Sequence, residues 1–131
     1  MKAFSFLNKA EVVGVVAAIT MGMPVASLAD DVPLSNVAEP GVYKVLAEND
    51  QFRVVLATWK PGQRDAFHSH PANAAYRLTD CKNKVYLPDG STARGGEVKA
   101  GTVLLQKPVA SHSFENVSDK ECQTLIVELK Q

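Results

Sequence analysis

The chain has 131 residues, 46% of them hydrophobic, with 14 basic and 14 acidic side chains and three histidines. A formal charge of zero, with no basic run, excludes nucleic acid and anionic membrane surfaces as natural partners. The length suits one globular domain and makes a second core improbable.

Residues 1–29 read as a secretory signal peptide. Lys2 and Lys9 supply a basic start, an uncharged stretch follows from 12 to 23, and Ser27-Leu28-Ala29 places small residues at minus three and minus one. Cleavage is predicted after Ala29. The alternative is an uncleaved anchor, because the uncharged run from 12 to 29 approaches spanning length. Gly22 and Pro24 count against it, and the leader has no cysteine for lipid attachment. Removing 29 of 131 residues leaves a single domain of 102, residues 30–131. Lys2, Lys9 and Glu11 leave with the leader, so that domain holds 12 basic and 13 acidic side chains, a formal charge of −1. Its predicted location is periplasmic or secreted.

After a polar lead-in to Pro40, short extended runs follow one another with turn residues between them. They span 42–46, 52–59, 66–70, 74–78, 84–87, 92–94, 97–99, 102–106, 112–117 and 124–129. Runs of β-branched and aromatic residues with Gly, Pro, Asn and Asp between them predict an all-β sandwich or barrel. No segment keeps apolar residues at helical spacing over three turns. An exported chain with two cysteines, Cys81 and Cys122, sits where disulfides form, and two free thiols are the alternative.

His68 and His70 fall two apart in an extended run, which turns both imidazoles to one face, and His112 is a third from a remote segment. Such a set can hold a metal ion. The alternative is that the first two merely cap a strand edge while His112 packs in a turn.

The pair lies in Gly62-x5-His68-x-His70, and the third histidine lies in Gly101-x10-His112-x3-Asn116. Both spacings resemble the two motifs of the cupin superfamily, over roughly residues 44–130. The resemblance implies a jelly-roll barrel, or double-stranded β-helix, holding one divalent transition metal (Fe, Ni, Mn, Cu or Zn) on His68, His70 and His112. It also implies that Cys81 ends the strand after the His-x-His segment and lies beside Cys122, which opens the last strand, so that the two can form a disulfide.

Two departures stand out. Where cupins often carry an acidic ligand, this sequence has Ala74 and Ala75, so the site resembles the all-histidine branch that includes thiol dioxygenases. The tyrosine and Ser-His pair of those enzymes have no assignable counterpart here. In the second motif the proline is displaced to Pro108, with Lys107 at its usual place and Val109 at the second glycine position.

Candidate acceptors for the outer ring nitrogens are Asp65, Ser69, Ser111, Ser113 and Asn116. Asn116 is carried over from the family motif, with a structural role. If Ala75 faces inward, alternation turns Asn73, Arg77 and Thr79 inward too, and Arg77 becomes an anion clamp. If Ala74 does, Tyr76 and Leu78 line the pocket. Phe67, Tyr86, Leu105 and Phe114 are candidate wall residues. Two functions follow: a metal-dependent oxygenase or lyase, iron-type, acting on a small molecule, or a non-catalytic metal- or ligand-binding periplasmic module. Catalytic residues beyond the metal ligands are not assigned. Pairing of sheet edges in a homodimer is one way to cover exposed strands.

Overall fold

The computed structural model describes residues 31–93 and 95–130. The expected signal peptide and its cleavage point therefore lie outside the described residues, as do Arg94 and Gln131. A single helical turn, α1 (Ser35–Ala38), precedes nine strands: β1 (Tyr43–Glu48), β2 (Phe52–Trp59), β3 (His68–His70), β4 (Asn73–Arg77), β5 (Cys81–Tyr86), β6 (Gly96–Val98), β7 (Val103–Gln106), β8 (Val109–Asn116) and β9 (Cys122–Leu129).

The strands form two antiparallel sheets, ordered β1-β2-β9-β4-β7 and β3-β8-β5-β6. Alternation sets which face is buried. On β9 the buried residues are Cys122, Thr124, Ile126 and Glu128; on β2 they include Val55, Ala57 and Trp59. Between the sheets, Tyr43 meets Trp59 edge-on with centroids 5.4 Å apart, and Trp59 lies 4.2 Å from Phe114. Ala57 and Ala75 are small where these rings need room, so the interior is filled by aromatics rather than left as a channel.

Several boundaries differ from the sequence expectation for identifiable reasons. Strand β5 starts at Cys81, not near 84, because Cys81 and Lys82 pair with Val98 and Glu97. The run at 92–94 is reduced to an isolated bridge, Tyr86 to Thr92, within its described part. Strand β8 extends back to Val109, immediately after Pro108, since Val109 pairs with His70.

Both motif glycines occupy turns that require them. Gly62 has φ 72° and Gly101 has φ 83°, in the left-handed region where a Cβ is strained. Gly62 donates its N–H to the Asn116 carbonyl and Gly101 donates to Arg77, so each turn is tied to a strand end.

A Cys81–Cys122 disulfide joins Cα atoms 5.3 Å apart and closes a sequence separation of 41. Its placement corrects one detail: Cys81 opens β5 instead of ending the strand after the histidine pair. Since β5 and β9 belong to different sheets, the bridge staples the two layers together. Among the described residues no helix is long and apolar enough to cross a membrane.

Candidate metal centre

Strands β3 and β8 are hydrogen-bonded neighbours, and His68 stands directly opposite His112 in their register. His70 follows on the same face as His68, with Ser69 turned the other way to bond the Val32 carbonyl. The register shifts between His68 and His70, a β-bulge that brings His70 opposite Val109. His68 is fully buried, His70 is 6% exposed, and His112 is half-buried.

The three rings converge through their Nε2 atoms. Nε2 of His68 lies 3.1 Å from that of His70 and 2.9 Å from that of His112. One ligand atom from each of the three falls within 4.8 Å of the others. Three nitrogens bound to one ion at about 2.0–2.1 Å, at angles between octahedral and tetrahedral, stand roughly 2.8–3.4 Å apart. The spacings from His68 to His70 and to His112 fall in this range, and the remaining pair, His70 and His112, has ligand atoms within 4.8 Å of each other.

Two of the three outer nitrogens are already committed. His68 Nδ1 is 2.8 Å from the Ala66 carbonyl, and His70 Nδ1 is 2.8 Å from Glu128 Oε1. Both partners accept, so each Nδ1 carries the proton and each Nε2 presents a bare lone pair. His112 can lend one proton to His68, but the contact between His68 and His70 then has none. Lone pairs facing each other at hydrogen-bond distance, away from water, are the donor set that a cation satisfies.

Burial acts on the charge state of His112 and His68. Desolvation, followed by the charges of His68 and His70, pushes the His112 imidazole down to about 3. Desolvation likewise lowers His68, against the opposing pull of Asp65. Neutral imidazoles are the ligating form. Two buried carboxylates, Asp65 and Glu128, lie behind the ring of nitrogens and supply negative charge that would offset a divalent cation.

Asp65 is held by four neighbours. Its Oδ2 accepts from the Tyr43 hydroxyl at 2.7 Å and from Trp59 Nε1 at 2.8 Å, while Oδ1 accepts from the Phe114 N–H at 2.7 Å and lies 3.6 Å from His68 Nδ1. The Tyr43 oxygen also stands 3.0 Å from His68 Nε2, at the border of the cluster. Burial first, then the Asp65 charge, raises the Tyr43 phenol well above its ordinary range. It therefore remains a neutral donor to Asp65.

The remaining sequence candidates are distributed as follows. Asn73, Ala75 and Arg77 are buried on β4, whereas Tyr76 is 45% exposed on the outer face. Arg77 donates to Thr124 Oγ1 and lies over the Phe114 ring at 5.3 Å, near the disulfide rather than in the histidine cluster. Asn116 is fully buried and donates Nδ2 to the carbonyls of Trp59, Lys60 and Lys120, which pins the turn after β2 to the end of β8. Ser113 donates to the Asp65 carbonyl, and Ser111 sits half-buried beside His112. Of the wall candidates, Phe114 is core, Tyr86 is half-buried and Phe67 is 38% exposed. Leu105 is 84% exposed, because β7 turns it to the outer face of its sheet.

Sequence reasoning missed Glu128 and Tyr43. For Glu128 a signal existed: it shares the buried phase of β9 with Thr124 and Ile126, where an acidic residue needs a partner. Tyr43, the first residue of β1, carried no such signal.

No protein-family model matches the chain, and no curated protein matches it. Solved structures do. A cupin domain from Bordetella pertussis is similar at 20% identity, over 69% of this chain and 93% of that one, with a TM-score of 0.62. An RmlC-like cupin family protein with a double-stranded β-helix fold, from Methanocaldococcus jannaschii, is 11% identical over 67% of this chain and 78% of that one, with a TM-score of 0.55. The polyketide cyclase RemF of Streptomyces resistomycificus is 24% identical over 77% and 75%, respectively, with a TM-score of 0.54. The chain thus has the cupin fold, with a cluster of three histidines inside it.

Proposed function

We propose that His68, His70 and His112 bind one divalent transition-metal ion through Nε2, and that this exported domain uses it on a small-molecule substrate as an oxygenase or lyase. The observation that carries the proposal is the convergence of the three Nε2 atoms, with outer nitrogens already spent on Ala66 and Glu128. Three protein ligands leave coordination positions open, as in catalytic metal sites, whereas structural sites are usually closed by four. When bound, the ion would act as a Lewis acid or redox centre at those positions.

The chain's own residues define what reaches the ion. His112 is the half-buried member, so a substrate approaches from its side, while Tyr43 closes the side of His68. Glu128 fixes the ring of His70, and Asp65 fixes Tyr43. Among the structural neighbours, the polyketide cyclase supports a small organic substrate. Residues 1–29 act as the signal peptide and 30–131 as the single exported domain, with periplasmic or secreted location; the Cys81–Cys122 bridge is in keeping with an oxidising compartment.

Elemental analysis of the protein purified without added metal tests the site. Close to one transition-metal ion per chain is expected, lost in His68→Ala and His112→Ala. Retention by either variant refutes the ligand set. Oxygen uptake and product analysis with a panel of small substrates then separates the enzyme from a non-catalytic binding module, for which tight metal and no turnover is the outcome.

A further inference from the structure

Arg77 is a buried cation without a counter-ion. It is 6% exposed on the inner face of β4, yet none of the ion pairs among the described residues includes it, and its Nε has no hydrogen-bond partner there. Its Nη1 donates to Thr124 Oγ1 and otherwise faces sulfur, with Sγ of Cys122 at 3.8 Å and Sγ of Cys81 at 3.9 Å. A buried charge left uncompensated destabilises a fold. The neutral sulfurs of a disulfide are weak acceptors and do not neutralise it.

A thiolate does. We infer that Cys81–Cys122 is an exchange-active disulfide whose reduced form is held by an Arg77–thiolate pair. The guanidinium is the one charged group within hydrogen-bonding distance of either sulfur among the described residues. Asp80, Lys82, Glu97, Lys99, Asp119 and Lys120 lie at the same end of the barrel, but all are exposed. A cation interacts more strongly with a thiolate than with the neutral bridge. It therefore shifts the equilibrium toward the dithiol and makes the bridge a better oxidant.

The two sulfurs are not equivalent. Cys81 opens β5 and borders a cleft of about 420 Å³ between Lys82, Val117 and Lys120, whereas Cys122 is fully buried and does not line it. The co-reactant is a dithiol, the class of reductant that thiol–disulfide exchange proteins present. Its thiolate attacks Sγ of Cys81 along the cleft. A new S–S bond forms as the Cys81–Cys122 bond breaks, and the electron pair leaves on Cys122 as thiolate beside Arg77. The second thiol of the dithiol then closes on the first and releases Cys81. The dithiol is oxidised by two electrons and the bridge is reduced by two; one proton ends on Cys81 and the other goes to solvent. Metal binding is not needed for this exchange. Arg77 pairs with Thr124 and Asn73 with Glu128, so the bridge and the histidine cluster lie toward opposite ends of β4.

Equilibration with buffers of reduced and oxidised dithiothreitol, with free thiols counted by alkylation and mass, tests the assignment. In Arg77→Met the ratio of reduced to oxidised dithiothreitol at half-reduction should rise at least about tenfold over the parent, the size of one charge-assisted hydrogen bond made in the reduced state alone. Arg77→Lys, which keeps a charge, should fall between the two. An unchanged ratio in Arg77→Met overturns the assignment. Reduction of the parent at neutral pH should also add the ultraviolet absorbance of one thiolate; its absence overturns the pair even if Arg77→Met does not fold. Oxidised glutathione should cap Cys81 in Cys122→Ala and leave Cys122 free in Cys81→Ala. Capping of Cys122 alone overturns the cleft as the route of attack.

Discussion

Glu128 and His70 meet 2.8 Å apart with both side chains buried, a carboxylate set behind a histidine and facing away from the other two rings. The other oxygen of Glu128 stands 3.5 Å from Arg53, which in turn reaches Glu48 at the surface at 3.1 Å. The carboxylate that the sequence lacks at Ala74 and Ala75 is thus present in the barrel, supplied by the last strand and used to orient a ring. Replacing it should weaken the metal in graded fashion. Glu128→Gln keeps an acceptor for Nδ1 but loses the charge, and should cost about tenfold in affinity; Glu128→Leu removes both and should cost nearer a hundredfold. Competition against a coloured chelator reads the difference, and equal affinities in the three proteins would remove Glu128 from the site.

Loading the site should stabilise the fold by mass action. At free metal of about 100 times the dissociation constant the gain is about 2.7 kcal/mol. Thermal unfolding with and without chelator should show it as a rise in Tm of several degrees. His68→Ala should abolish the rise, since His68 stands between the other two rings at 3.1 Å and 2.9 Å. A variant that still responds to metal would place the ion elsewhere.

Strand alternation made His68 and His70 legible as a pair on one face, and the resemblance of the Gly62 and Gly101 spacings to the cupin motifs joined His112 to them; both glycines adopt positive φ. Strand alternation could not choose between Ala74 and Ala75 as the inward residue. That choice depends on β4 lying between β9 and β7, which buries Asn73, Ala75 and Arg77 and leaves Tyr76 and Leu105 outside. Glu128 and Tyr43 reach the cluster from strands 58 and 25 residues away in sequence, so tertiary placement is needed to join them to it, although the buried phase of β9 already marks Glu128 as an acidic residue in need of a partner. The turn of α1 is too short for a helical period to register.

The disulfide should carry a large share of the stability of so small a fold. Closing a loop of 41 residues is worth roughly 3–4 kcal/mol in the chain-entropy description. Both cysteines are buried, and the bridge is the covalent link between the two sheets. Urea unfolding of the oxidised protein against the Cys81→Ala, Cys122→Ala double variant should show an unfolding free energy lower by that amount, read as an earlier midpoint, with the strand content retained. An unchanged midpoint would mean that the two layers are held by packing alone.

Asp65 offers the sharpest separation of structure from metal binding. Its two oxygens accept three hydrogen bonds, from Tyr43, Trp59 and the Phe114 backbone, all within 2.7–2.8 Å. Asparagine has one acceptor oxygen, so in Asp65→Asn an amide N–H must face at least one of those donors, leaving a buried donor unpaired. Bonds to a charged acceptor are also roughly twice as strong as neutral ones. The expected loss is about 2–4 kcal/mol of unfolding free energy. Tyr43→Phe removes a single donor and leaves the other two bonds to the carboxylate, so its loss should be about 1–2 kcal/mol. It also takes away the oxygen 3.0 Å from His68 Nε2 without touching any of the three imidazoles, and metal content should stay at the parent level. Chemical denaturation and elemental analysis on the same preparations check both halves. Loss of metal in Tyr43→Phe with stability intact would make the phenol oxygen a ligand instead of a prop for Asp65.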